Sequence, residues 1–145
     1  MSDNRKLRVL FLCYGNACRS QMAEGWARLL RGDVIEPESA GIIASGLSSR
    51  AESVMREAGV DISAQESNML DEMGGRGYDY MVTLCPTAHR IATPPGGAKV
   101  VHAPFDDPYT MCFGKEGTEE ETKIFRRVRD EIKAFVETLP ESLDK

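Results

Sequence analysis

A single junction near the start of the chain narrows its fold more than any other feature. Leu7 to Leu12 reads Leu-Arg-Val-Leu-Phe-Leu, a nearly unbroken apolar run suited to a parallel strand buried on both faces. The run stops at Cys13. From Ser20 to Arg31, Met22, Ala23, Trp26, Ala27, Leu29 and Leu30 recur at helical spacing, and Gly32 ends the pattern. A buried strand that feeds a helix through a short loop is the opening unit of a parallel α/β sheet.

The rest of the chain repeats that alternation. Val34 to Ala40 is a weaker strand, and Pro37 within it suits an edge position. Ser49 and Glu52 form a capping box, followed by a stripe of Ala51, Val54, Met55 and Ala58 that Gly59 closes. After a polar stretch, Tyr80 to Leu84 reads as another buried strand and runs into Cys85. Val100 and Val101 mark a short fourth strand. Thr118 with Glu121 caps a long helix that carries Ile124, Phe125, Val128, Ile132, Phe135, Val136 and Leu139. The expectation is a three-layer α/β/α fold around a four-stranded parallel sheet, joined by right-handed crossovers. Such sheets bind ligands beyond the carboxyl ends of their strands, where strand order reverses. Cys13 and Cys85 both fall at such ends. With 145 residues and no repeat or linker, one domain over residues 1–145 is expected.

Composition removes several function classes. Lys plus Arg is 18 against 23 for Asp plus Glu, so the basic footprint of a nucleic-acid binder is missing. No apolar run approaches the ~18 residues of a membrane span, and the run after Arg5, Lys6 and Arg8 is too short for a signal-peptide core. A cytoplasmic monomer, free of membrane and nucleic acid, is expected. Four cysteines in such a domain read as metal ligands, reactive thiols or core residues rather than a disulfide framework. No Cys-x2-Cys or His-x3-His spacing occurs, so no metal site is expected.

The loop Cys13-Tyr14-Gly15-Asn16-Ala17-Cys18-Arg19-Ser20 sits between strand and helix. Its backbone amides can converge beside the positive end of the helix dipole, which makes an anion cradle. It lacks the Gly-Lys-Ser/Thr of a Walker loop and the glycines of a dinucleotide fingerprint. Arg19 can fork onto two oxygens of a tetrahedral oxyanion, while the cradle favours Cys13 as a reactive thiolate. Cys18, inside the cradle, can form a protective disulfide with Cys13 or serve a structural purpose.

Several segments together resemble the low-molecular-weight protein-tyrosine phosphatase superfamily, and especially its thioredoxin-coupled arsenate reductase branch. They are Val9 to Trp26, Ser39-Ala-Gly41, Asp61-Ile-Ser63, Val82-Thr-Leu-Cys85, Phe105-Asp-Asp-Pro108 and Arg127 to Ile132. The stretch Ser20-Gln-Met-Ala-Glu-Gly-Trp26 and the cysteine at position 85 resemble the reductases rather than the phosphatases. The resemblance implies Cys13 as nucleophile, Arg19 as oxyanion ligand and Asp107 as general acid, with Asp106 as its competitor. It also implies hydrogen-bonding roles for Asn16 and Ser20, and supporting roles for Ser39 and Ser63.

On this reading arsenic(V) held on Cys13 accepts two electrons when Cys85 attacks the Cys13 sulfur. Arsenite leaves and a Cys13–Cys85 disulfide remains. Neighbouring parallel strands lie ~4.8 Å apart, inside the ~4.4 to 6.8 Å range of Cα separations a disulfide can bridge. The related reductases carry a third cysteine shortly after the second, whereas Pro86 to Gly97 has none and His89 stands in that segment. Cys112, on a loop after the Asp-Pro turn, is the candidate replacement; otherwise an external thiol completes the cycle, supplied by thioredoxin, a glutaredoxin-type protein or a small molecule. No tightly bound cofactor is expected. Two other readings stay open. One is a phosphatase using Cys13, Arg19 and Asp107, to which Tyr109 would lend an aromatic wall. The other is a silent oxyanion sensor.

Overall fold

The computed structural model describes residues 5–144. Four strands form one sheet: β1 (Leu7–Cys13), β2 (Ile35–Gly41), β3 (Tyr80–Thr83) and β4 (Lys99–His102). Every pairing is parallel and the order is β2-β1-β3-β4. The helices are α1 (Arg19–Arg31), α2 (Ser49–Glu57), α3 (Pro86–Ile91), α4 (Pro108–Met111) and α5 (Glu119–Val136). β1 is central, and Val9, Leu10, Phe11 and Leu12 are fully buried, which is why its sequence shows no polar alternation. β2 lies at the edge, as Pro37 requires. The Pro37 carbonyl accepts from Arg28 Nη2 at 3.3 Å.

Successive residues of a strand point to opposite faces, so β1 sorts the helices. Phe11 pairs with Ser39, whose hydroxyl reaches Glu24 of α1 at 2.5 Å. Leu12 pairs with Thr83, whose hydroxyl meets His89 of α3 at 2.9 Å. α1 and α3 therefore cover opposite faces of the sheet. Phe125, Val128, Ile132 and Val136 of α5 are buried in the same core. Glu57 at the end of α2 ties that helix to α5 through Arg126 and Arg129.

Local details differ from the sequence expectations in four places. The cap of α2 is Ser48, not Ser49: Ser48 has extended backbone and its Oγ accepts from Ala51 N at 3.1 Å, while Ser49 is already helical. α1 begins at Arg19 rather than Ser20, with Cys18 at the cap position and the Ser20 hydroxyl engaged with Cys13 and Asn16. β3 ends at Thr83, and Cys85 instead caps α3 with its sulfur, which accepts from Ala88 N at 3.4 Å. Leu139 is buried as the helical stripe suggested, yet lies beyond the end of α5. Thr118 caps α5 as expected, accepting from Glu121 N.

Candidate active site

β2 joins β1 on one side and β3 on the other, so chain order reverses around β1. The crevice beyond the carboxyl ends of β1 and β3 is where such a sheet presents a ligand site. A cavity of about 470 Å³ opens there, lined by Cys13, Tyr14, Gly15, Ala17, Cys18 and Arg19 from the cradle, by residues 45–49, and by Asp107 and Tyr109.

The cradle is shaped from behind. Ile43 N donates to Tyr14 O at 3.0 Å, Ser45 N to Gly15 O at 2.8 Å and Ser48 N to Ala17 O at 2.9 Å. Gln21 Nε2 and Ser67 Oγ both donate to Asn16 O at 3.0 Å, and Met22 N donates to Cys18 O at 2.9 Å. With its carbonyls drawn to outside partners, the loop leaves its amides for an anion, and the start of α1 adds its dipole. Asn16 adopts the left-handed region, φ 48°, where Asn is better tolerated than most side chains. Its side chain faces away from the cavity: Oδ1 accepts from Asn68 N at 2.6 Å and Nδ2 donates to Ser20 Oγ at 2.8 Å. Ser20 Oγ lies 2.9 Å from Cys13 Sγ. Since it already accepts from Asn16, its own proton is available to a negatively charged sulfur.

Asp107 and Asp106 separate cleanly. Asp106 pairs with Arg127 at 3.2 Å, on the surface and away from the cavity. Asp107 lines the cavity, with Oδ2 3.7 Å from Arg19 Nη2. It also caps α4, accepting from Tyr109 N and Thr110 Oγ1, each at 3.0 Å. Arg19 is further fixed by donating to Phe105 O at 3.1 Å. A cation and a carboxyl thus face the same space above the Cys13 sulfur. Tyr109 bonds Ser48 through its hydroxyl and packs edge-on against Phe125, with centroids 5.2 Å apart. Ser45 and Ser48 had no distinguishing mark in the sequence; only the fold brings their amides to the cradle.

The four cysteines are free thiols in different settings. Cys13 is 3% exposed at the end of β1, beneath the cavity. Burial, then the proximity of Cys13, pushes the Cys18 thiol well above its ordinary range. Leu84 N donates to Leu12 O at 2.8 Å, so the chain after β3 stays beside the end of β1 and Cys85 shares the rim with Cys13. Its sulfur, however, caps α3 on the far face and does not line the cavity. To meet Cys13, Cys85 must leave that cap. Cys112, expected on a loop after the Asp-Pro turn, instead closes α4: it is 2% exposed, with Sγ 3.8 Å from Glu121 O. Burial and Glu121 push its thiol up. The structure does not place Cys112 on the cavity or in hydrogen-bond contact with Cys85. Ser39 and Ser63 also lie apart from the cradle loop, on Glu24 and beside Asp61. His89 and His102 stack with centroids 4.0 Å apart and share Thr83 Oγ1, clasping α3 to the sheet. Among the described residues no group of three or more His, Cys, Asp or Glu is arranged to hold a metal, and no helix is long and apolar enough to cross a membrane.

Residues 8–145 match the family model for low molecular weight phosphotyrosine protein phosphatases. The chain is 48% identical over 139 residues to the arsenate reductase of Bacillus licheniformis, covering 92% of this chain and 97% of that one. It is 46% identical over 136 residues to the arsenate reductase of Bacillus subtilis, covering 90% and 95%. Among solved structures, an arsenate reductase in its phosphate-binding state superimposes with a TM-score of 0.74 at 31% identity, covering 92% and 95%. The low molecular weight protein tyrosine phosphatase of T. tengcongensis gives 0.75 at 28% identity, covering 94% and 99%.

Proposed function

The chain belongs to the low molecular weight phosphotyrosine protein phosphatase family, and from that membership together with its 48% and 46% identity to two Bacillus arsenate reductases we propose that it reduces arsenate to arsenite through a thiolate nucleophile and a thiol–disulfide cascade. The observation that carries the reading is the convergence of Cys13, Arg19 and Asp107 on one cavity while a second cysteine shares the same sheet rim.

Arsenate enters the cradle with its oxygens on Arg19 and the loop amides. The Cys13 thiolate bonds to arsenic, and the departing oxygen takes a proton from the Asp107 carboxyl. Arg19, 3.7 Å from Asp107, exchanges the carboxylate for the oxyanion when substrate arrives. Cys85 then attacks Cys13 Sγ: the sulfur–arsenic bond breaks with its electron pair moving to arsenic, arsenite leaves, and a Cys13–Cys85 disulfide forms. An external thiol, from a thioredoxin- or glutaredoxin-type protein or a small molecule, restores both sulfurs, with no tightly bound cofactor. This chemistry needs reduced thiols, and we accordingly place the enzyme in the cytoplasm. Tyr109 beside Asp107 on the cavity wall favours aryl phosphate hydrolysis as a second activity of the same nucleophile.

Comparing wild type with Cys85→Ser tests the assignment. Arsenate-dependent thiol oxidation is expected to disappear in the variant while aryl phosphate hydrolysis persists. Efficient phosphate release by wild type without any arsenate-dependent oxidation would overturn the reductase reading.

A further inference from the structure

The geometry points to Tyr109 and Ser48 as positioning residues: the bond between their hydroxyls straps the Asp107 acid to the cradle that holds Cys13. The inference rests on the reading of Asp107 as proton donor given above and deepens it.

Asp107 sits at the start of α4, a helix of four residues, too short to hold its own place in water. Its surroundings must fix it. Most of them belong to α5 and the turn before it: Cys112 Sγ meets Glu121 O, Met111 Sδ accepts from Arg127, and the Tyr109 ring leans on Phe125. None of these contacts touches the cradle. The Tyr109 hydroxyl reaches the other way, to Ser48 Oγ, and Ser48 N donates to Ala17 O of the cradle at 2.9 Å. Among the described residues, no other side-chain hydrogen bond joins α4 to the wall formed by residues 45–49. On the acid's side, Tyr109 N donates to Asp107 Oδ1 at 3.0 Å. Asp107 is thereby linked through Tyr109 and Ser48 to the backbone of the nucleophile's own loop.

The strap acts when substrate is bound. Before Asp107 the chain is held by Arg19, which donates to Phe105 O at 3.1 Å. The direct tie from Arg19 to Asp107, 3.7 Å long, is given up as Arg19 turns to the oxyanion. After Asp107 the strap remains. As the sulfur–arsenic bond forms and an arsenic–oxygen bond breaks, the departing hydroxyl takes the Asp107 proton and leaves as water, and a carboxylate stays behind. Such a transfer needs heavy atoms within ~2.6 to 3.2 Å of each other. A carboxyl that moves with α5 instead of the cradle therefore loses rate while the oxyanion still binds. Burial raises the Tyr109 phenol above its ordinary range, which keeps it a neutral hydroxyl at working pH. Ser48 Oγ accepts from Ala51 N and has a second lone pair for the phenol.

Four full-length proteins test the strap: wild type, Tyr109→Phe, Asp107→Asn and the double variant, each scored for arsenite formed in the first turnover. Phe keeps the ring and deletes only the hydroxyl. Tyr109→Phe is expected to slow that turnover about tenfold, short of the roughly hundredfold loss of a general acid in Asp107→Asn. In the Asp107→Asn background it should slow nothing further, because a residue that acts through Asp107 has no role once the acid is gone. Phosphate should raise the Tm of Tyr109→Phe as far as that of wild type, since the cradle is intact. Ser48→Ala should match Tyr109→Phe in rate, and Ser48→Thr, which retains a hydroxyl, should restore it. A Tyr109→Phe rate within about twofold of wild type, or an equal fractional loss with and without Asp107, overturns the proposal and leaves the reductase reading intact. If wild type forms no arsenite but hydrolyses phenyl phosphate, the reductase reading fails, and the same four proteins decide the strap on that ester, whose leaving phenoxide also needs a proton. Turnover of neither substrate overturns both.

Discussion

Gly41 shows how tightly single residues constrain the site. A Cβ there would lie 2.4 Å from Ile43 O, 2.6 Å from Asn16 N and 2.8 Å from Gly15 C, all backbone atoms. The end of β2 therefore presses directly on the back of the cradle, and nothing flexible stands between them. Gly41→Ala is expected to lose about 1 to 3 kcal/mol of stability, the usual cost of overpacking a closed site. Chemical denaturation measures this, and an unchanged midpoint would show that the cradle can shift. Not every contact of this kind was readable beforehand. Cys13 and Arg19 stand out because strand, loop and helix are local patterns, whereas Asp107 is singled out by the family resemblance, an Asp-Pro pair by itself reading as an ordinary turn. The amides of residues 43, 45 and 48 do not stand out, because any residue type can supply a backbone donor and only the path of the chain after β2 aims these three.

Among the elements, legibility followed the length and burial of each segment. β1, α1 and α5 have long apolar patterns and were placed correctly; α3 and α4 are only a turn or so long and are held by side chains that periodicity does not report. α4 depends on Asp107 at its start and Tyr109 on Ser48, and α3 depends on Cys85 and the histidine clasp. The α2–α5 contact yields a pH prediction. Glu57 accepts from Arg126 Nη2 at 2.5 Å and from Arg129 Nη1 at 2.8 Å. The Arg126 and then Arg129 hydrogen bonds hold its carboxyl down at about 2, from an ordinary 4.5. Because the folded group titrates below the unfolded one, its stabilising contribution is complete above the ordinary value and is lost as pH falls toward 2. The clamp is exposed, so the effect is modest and weakens with salt. The stability difference between wild type and Glu57→Gln should shrink between about pH 5 and about pH 3; urea melts giving an equal difference at both values would contradict this.

For the molecule as a whole, the cradle is assembled from β1, α1, the chain after β2 and residues 67–68, so occupying it ties distant parts of the sequence together. An oxyanion that binds only the folded state raises stability by mass action, about 2.7 kcal/mol at a hundredfold excess over its dissociation constant. Phosphate and arsenate should each raise Tm in proportion to the logarithm of their concentration. Arg19→Lys removes the fork and should weaken that dependence while lowering kcat/KM for arsenate roughly a hundredfold. Calorimetry with and without phosphate reads the first effect, and an undiminished shift in the variant would transfer the binding to the amides alone.

The outer edge of β2 has a consequence of its own. At Pro37 that edge has no amide to offer, and the carbonyl is already taken by Arg28; farther along, Gly41 N is bonded to Asn68 O. A second copy searching for a strand to extend would find gaps in the ladder at these positions, and edge-to-edge growth into fibres is blocked there. A proline that merely weakened the sequence pattern thus helps to keep the folded molecule from aggregating when it is abundant.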